Sequence, residues 1–303
     1  MSAYNYRPAF HKEVRLKCSP GSIWLLLILL AASQAKADTD ADAVRILRQM
    51  FQATKKVKSL SYTMVKRERI KGQILTQRSK VKLALAPLRT YLYQETTKKG
   101  LEVIFAEGQH NDKCIINPNG FPWINIYLPP MHPRVLQNQH HNLFKSGYAY
   151  VVGILEHLMR KYDQQLADII QSKPDVLWQG RPAHMIHLDN PNFGIHKHVV
   201  KQGETAWDVA RQHMIGEYMV LDRNPDVGFY TDLSLGKTLV IPNDYARKME
   251  IVILKENMLP ALLRVYDEHG LFEEYQYLDL ILNPAFSEND FSKSNPNYGF
   301  KKL

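Results

Sequence analysis

HVVKQGETAWDVARQHMIGEYMVLDRNPDVGFYTDLSLGKTLVIP, residues 198–242, is the stretch on which the reading of this chain turns. The β-branched pairs Val199-Val200 and Val240-Ile241 suit strands, because branching at Cβ stiffens the side chain and packs well on a pleated surface. Thr205 is placed to cap a helix that starts at Ala206 and carries Trp207, Val209 and Ala210. Asn224-Pro225 ends a second helix, since proline cannot donate to a continuing turn and restricts the residue before it. Leu235-Gly236 turns the chain into the closing strand through Leu239, Val240, Ile241 and Pro242. The predicted order is βααβ. Gly236-Lys237-Thr238 imitates the end of a phosphate-binding loop, but that loop needs a glycine five positions earlier, where Thr231 stands.

With its turn at Gly203-Glu204-Thr205, this pattern resembles a complete LysM module, a small glycan-binding unit of bacterial wall proteins. The resemblance implies a module over 197–243 that binds peptidoglycan or a chitin-like N-acetylglucosamine glycan. Its shallow groove would be built from Gly203, Glu204, Thr205 and Ala206 on one side and Asn224, Pro225, Asp226 and Val227 on the other. The chain departs from the family pattern at Glu204, where aspartate is usual, at Ala206, where a large aliphatic is usual, and at Arg223, which replaces an apolar residue.

The N-terminus carries Arg7, Lys12, Arg15 and Lys17, then the apolar run from Ile23 to Ala32, then Ala35-Lys36-Ala37. This reads as a secretory signal peptide over 1–37, cleaved after Ala37, with an apolar run shorter than the roughly 20 residues of a spanning helix. Export places the chain in the periplasm or outside the cell, associated with the wall and at most peripheral to a membrane. Cys18 leaves with the leader, so Cys114 is alone and forms no internal disulfide; within a strand it reads as a small buried hydrophobe. The formal charge of +9 falls to about +5 without the leader, which suits a polyanionic surface and, with export, argues against nucleic acid.

Between these landmarks the chain reads as α+β. Ala43, Ile46, Leu47, Met50 and Phe51 share one face of a helix capped by Thr39. Strand patterns follow through Tyr62, Met64, Arg67 and Arg69, through Val81, Leu83 and Leu85, and over 90–95, 101–107, 113–116 and 122–127, punctuated by glycines. One long helix is predicted over 147–171, with Val151, Leu155, Leu158, Met159, Tyr162, Leu166 and Ile169 as its apolar stripe. Strands resume at 175–179, 183–188, 245–254, 261–266 and 272–280. The sheet domain is therefore discontinuous, 38–196 plus 244–303, with the βααβ module inserted between two of its strands.

This body resembles the secreted bacterial domain-of-unknown-function 1571 family through the run Leu60 to Arg69, the hairpin from Val265-Tyr266-Asp267 to Tyr277, and the tail from Asn283-Pro284 through Phe291 to Phe300. The layout is further similar to the lipoprotein-carrier fold, a curved antiparallel half-barrel packed on one long helix, which implies a concave face able to hold a lipid or lipoprotein acyl chain.

No H-E-x-x-H helix, G-x-S-x-G elbow or local Cys–His signature occurs in the sequence. His184, His187, His196 and His198 are the densest histidine cluster, and solvent-facing side chains account for them better than a metal site. His140-His141 is a weaker signal in a polar stretch. Lys66, Arg67, Glu68 and Arg69 read as a solvated edge or a cross-strand ion-pair set, with an anionic headgroup contact as the functional alternative. Tyr91, Tyr93, Phe105, Phe121, Trp123 and Tyr127 line either an apolar cavity or an ordinary core. The expectation is a non-enzymatic envelope protein with no cofactor and no metal, tethered to glycan through the module, with the sheet holding an acyl chain. The alternatives are a ligand-free envelope scaffold and a cryptic wall hydrolase.

Overall fold

The computed structural model describes residues 42–301. The signal peptide over 1–37, its cleavage site, Cys18 and the Thr39 cap lie outside the described residues.

Helix α1 covers residues 42–54 and buries Ala43, Ile46, Leu47, Met50 and Phe51, the face the sequence predicts. Strands β1 (Ser59–Ile70), β2 (Gln73–Leu85), β3 (Leu88–Gln94), β4 (Glu102–Ala106), β5 (Cys114–Asn117) and β6 (Ile126–Leu128) follow as a meander. Next come α2 (Pro133–Leu136), α3 (Ala149–Lys161), α4 (Leu166–Ile169), β7 (Ile170–Trp178) and β8 (Arg181–Asp189). Then come β9 (Ile195–Val199), α5 (Ala206–His213), α6 (Glu217–Arg223), β10 (Thr238–Pro242), β11 (Lys248–Leu254), β12 (Pro260–Asp267) and β13 (Gly270–Leu282).

Among the described residues eleven strands form one open antiparallel sheet in the order β6-β5-β4-β3-β2-β1-β13-β12-β11-β8-β7, with β6 and β7 at its edges. The joint between its halves is β1 against β13, a pairing of residues more than 200 positions apart. Lys71-Gly72 and Gln179-Gly180 make two-residue hairpin turns with positive φ at both positions, the turn whose twist matches the flanking strands. Strands β9 and β10 pair antiparallel in a separate two-stranded sheet, while β8 and β11 on either side of them are hydrogen-bonded neighbours.

Helices α1, α3 and α4 cover one face of the large sheet, and their apolar side chains join those of β1, β8, β11 and the α5–α6 pair in one core. Each fully buried leucine or isoleucine there, such as Leu47, Leu155 or Ile251, contributes about 1.5–3 kcal/mol. The opposite face, over β2 to β5, is covered by the C-terminal tail, whose Phe291 and Phe300 pack on Ala84, Tyr91, Ile104 and Ile115.

Two expected elements differ. The helix expected over 147–171 ends at Lys161, because Tyr162 leaves helical geometry while Lys161 Nζ and Tyr162 Oη turn to Asp244 at 2.8 and 2.6 Å. A short turn over Asp163–Gln165 and α4 follow, and β-branched Ile170 already opens β7. Leu166 and Ile169 are buried as the stripe predicts, on a broken path. The strand expected over 122–127 shrinks to β6, and Phe121, Trp123 and Ile124 protrude from the loop before it.

Candidate functional site

Side chains alternate across a strand, so Tyr62, Met64, Lys66 and Glu68 of β1 share a face with Leu75, Gln77, Ser79 and Val81 of β2 and with Glu273, Tyr275 and Tyr277 of β13. Between this face and the segment 134–151 lies a cavity of about 450 Å³. Val81, Leu92, Val103 and Ile116 make its apolar wall, and Lys66, Glu68, His141, Lys145, Tyr245 and Glu273 make a polar end.

The covering segment is built to stay in place. His132 accepts from Arg134 N at 3.1 Å to start α2 behind Pro133, and Asn142 accepts from Phe144 N at 3.0 Å. Gly147 has φ +79 and would press a Cβ to 3.2 Å from Leu85, so the segment approaches the sheet where only glycine fits.

At the polar end Glu68 and Glu273 are cross-strand partners, 2% and 0% exposed. Like charges in that position repel, so the cluster exists only because donors surround both. Lys66 Nζ lies 3.0 Å from Glu68, and Tyr275 Oη donates to Glu68 at 2.6 Å. Tyr245 Oη donates to Glu273, while His140 Nδ1 and His141 Nε2 stand 2.8 and 3.1 Å from the other Glu273 oxygen. His140 Nε2 meets the Arg69 carbonyl at 3.0 Å. Both ring nitrogens of His140 therefore face groups that only accept, which requires the imidazolium form. Burial opposes that charge, but the hydrogen bond to Glu273 and the nearby Glu68 raise the His140 pKa above the ordinary histidine value. Burial likewise works against Glu273, and His141 and His140 overcome it and hold the carboxyl well below the usual range. The His140 ring packs against both Tyr218 and Phe272, at 4.6 and 4.2 Å between centroids. Lys145 pairs with Glu217 of α6 and sits 3.6 Å above the Tyr150 ring; burial lowers its pKa.

In the charged run of β1, on a central strand, Glu68 and Arg69 are buried and Lys66 and Arg67 partly so, which corrects the solvated-edge reading; Arg67 lies 3.5 Å from its cross-strand partner Glu274, as the ion-pair reading expects. Arg69 joins Asp267 and Asp222, and Arg223 joins Asp267 and Glu268 at 3.1 and 2.7 Å, which ties α6 to the turn between β12 and β13. These pairs account for Arg223 where the LysM pattern has an apolar residue. The aromatics proposed as a cavity lining lie elsewhere. Tyr91 stacks on Tyr298 of the tail at 3.7 Å, Phe105 is buried against Phe144, and Phe121 and Trp123 are exposed. Cys114 is fully buried, and burial pushes its thiol up to about 12.

In the βααβ segment Gly203, Glu204 and Thr205 occupy one loop, Ala206 opens α5, and Asn224 to Val227 follow α6; Ala206 N donates to Tyr230 O at 2.8 Å, just beyond that second loop. Gly203, Pro225 and Asp226 are exposed. Glu204 accepts from Lys201 N at 2.9 Å and contacts His198 Nε2 at 2.8 Å. Thr205 caps α5 in a capping box with Asp208. Ala206 and Val227 are buried, and Asn224 clamps the closing strand by accepting from Val240 N and donating to Val240 O, each at 2.9 Å. Asp226 pairs with Lys237. His184 contacts Asp175 at 3.0 Å, and the rings of His196 and His198 each lie just over 5 Å from His213. Among the described residues no group of three or more His, Cys, Asp or Glu is arranged to hold a metal ion.

The protein of unknown function family DUF1571 matches residues 57–219 and 231–300, which spans both meanders and the buried cluster. The chain belongs to the DUF1571 family. The DUF1571 match includes β9, α5 and β10, so most of the βααβ segment falls within it. No curated protein matches the chain. Among solved structures it is similar to MucB, at 16% identity and a TM-score of 0.39 over 83% of this chain and 62% of MucB, so the chain spans under two thirds of that protein's length. It is also similar to the lipoprotein LppX of Mycobacterium tuberculosis, at 12% identity and a TM-score of 0.38, with 82% of this chain and 98% of that one covered. A LolA superfamily protein of Nitrosomonas europaea matches at 9% identity and a TM-score of 0.31, with 82% and 97% covered.

Proposed function

We propose that this DUF1571 protein is a non-enzymatic binding protein of the cell envelope that holds an apolar chain, such as a lipid or lipoprotein acyl chain, in the sheet cavity. The observation that carries the reading is one 450 Å³ space with Glu68, Glu273 and Lys66 at one end and a wall on β2 to β5 where Val81, Leu92, Val103 and Ile116 alternate with the uncharged Ser79, Thr90 and Gln94. That size falls in the range of about 300–1,000 Å³ of small-ligand pockets, and the arrangement suits an amphipathic molecule with its chain on the wall and its head at the charges. Periplasmic or secreted placement follows from the leader read in the sequence; among the described residues no helix is long and apolar enough to cross a membrane. Solvent extraction of the chain purified from an envelope fraction, followed by mass spectrometry, tests the reading. One acyl-bearing species per chain is expected, and an empty extract from protein prepared without detergent counts against it.

A second reading concerns the βααβ segment. The antiparallel β9–β10 pair, the two intervening helices and the exposed Gly203, Pro225 and Asp226 support a LysM-type glycan anchor formed by Gly203 to Ala206 and Asn224 to Val227. Deleting the segment is a poor test, because Asp222 and Arg223 share buried ion pairs with Arg69 and Asp267. Co-sedimentation with peptidoglycan sacculi, comparing wild type with Gly203→Trp and Asp226→Trp, avoids that problem. Equal sedimentation of all three would remove the anchor.

A further inference from the structure

The loop between β5 and β6 presents Phe121 at 87%, Trp123 at 64% and Ile124 at 60% exposure, a group of large apolar side chains left largely uncovered by the described residues. Trp123 also has a φ of +63, a left-handed conformation disfavoured for a bulky residue. Backbone strain of this kind is ordinarily repaid by packing, and among the described residues this indole stays mostly uncovered.

Cations surround the loop. Asn119 donates to Lys99 O at 3.1 Å, which seats the loop against the β3–β4 turn, where Lys98 and Lys99 are exposed. Asn125 exchanges two hydrogen bonds with the backbone of exposed Lys301, and Lys293 Nζ contacts Tyr127 Oη at 3.1 Å. Exposed apolar side chains flanked by lysine-bearing segments suit the boundary between lipid headgroups and acyl chains, where rings bury their apolar body and ammonium groups meet lipid phosphates. The same β3–β4 turn contributes Thr97, Lys98 and Leu101 to the cavity lining, so the cavity reaches the surface beside the aromatic loop.

We propose that the loop Phe121–Ile124, with Lys98, Lys99, Lys293 and Lys301, docks the protein on an anionic lipid surface and sets the mouth of the cavity against it. The role of the mouth rests on the cavity being a lipid site; docking itself stands on the loop.

The test uses the chain from Asp38, which contains the whole compact unit 40–303, and sedimentation with phosphatidylcholine vesicles with and without phosphatidylglycerol. Wild type is expected to sediment with the anionic vesicles. The triple variant Phe121→Ser, Trp123→Ser, Ile124→Ser should lose roughly tenfold in partitioning while unfolding at an unchanged denaturant midpoint, because these side chains are solvated. Lys98→Glu with Lys99→Glu should lose severalfold, on phosphatidylglycerol vesicles alone. Absence of wild-type sedimentation, or a triple variant that sediments like wild type, overturns the proposal. Concentration-dependent self-association of wild type that the triple variant lacks also overturns it, by assigning the patch to a protein contact. Extracted acyl species give an independent readout. If wild type sediments but carries none, the cavity reading fails and the docking stands.

Discussion

Glu102 and Glu273 are both buried glutamates of one sheet, on opposite faces, and their surroundings differ in kind. Glu102 receives neutral donors, Tyr91 Oη, Asn117 Nδ2 and Gly299 N, each at 2.8 Å, and the C-terminal tail closes over it. Glu273 takes an imidazolium and a second imidazole, both delivered by the 134–151 segment, and the Tyr245 hydroxyl, and the space beside it stays open as the cavity. Full satisfaction by short-range neutral donors fixes a structural strap. A cluster of charged groups assembled across three elements beside an unfilled space has more of the character of a site, since such groupings are costly to bury and persist where they are used.

The contrast breaks most readily at Glu273. Glu273→Ala removes the carboxylate that pairs with His140 and His141 in the core, and a loss of about 3–5 kcal/mol in guanidinium unfolding is expected; a loss under about 1 kcal/mol would mean that the cluster is not a charged assembly. On the other face, Gly299→Ala brings a Cβ to 2.9 Å from both Asn117 Nδ2 and Glu102 Oε2. Overpacking of that kind costs about 1–3 kcal/mol, and bound acyl species should be unaffected because the cavity lies across the sheet.

Acidity sharpens the comparison further. The folded His140 pKa is raised above its ordinary 6.5, so its contribution is fully present below that value and is lost as pH rises through the folded pKa. Glu273 and Glu68 are lowered from 4.5, so theirs is present above that value and is lost as pH falls through the folded pKa. Thermal melts should therefore show greatest stability between about pH 4.5 and 6.5 from this cluster, and the decline above pH 6.5 should flatten in His140→Gln. An unchanged slope in that variant would place the titration elsewhere. The smallest effect belongs to exposed pairs: Lys248→Ala removes a 3.2 Å contact with Asp189 between half-exposed side chains and should change stability by no more than about 0.5 kcal/mol.

The meanders were legible because alternation and glycine turns are local signals, and α1 because its five apolar residues repeat at helical spacing. The break after Lys161 was not, since Asp244, which draws away Lys161 and Tyr162, is more than 80 residues distant. Half of the cluster was readable. Glu68 is in phase with Tyr62 and Met64, and Glu273 with Tyr275 and Tyr277, so a period of two already sets both carboxylates on the covered face. His140 and His141 carried no such phase; they lie outside any regular element and reach Glu273 only because β1 pairs with β13. Sequence assigns Phe121 and Trp123 to a lining or a core because a large aromatic is ordinarily buried, and their exposure is a property of the loop.

Native mass spectrometry of wild type beside Leu92→Trp tests the cavity most directly. Leu92 is on the wall formed by β3, two strands from Glu68, and the larger indole intrudes on the space an acyl chain would occupy. Wild type is expected to carry one acyl-bearing ligand per chain and the folded variant none; an equal load on both, or none on either, would contradict the cavity as the binding site.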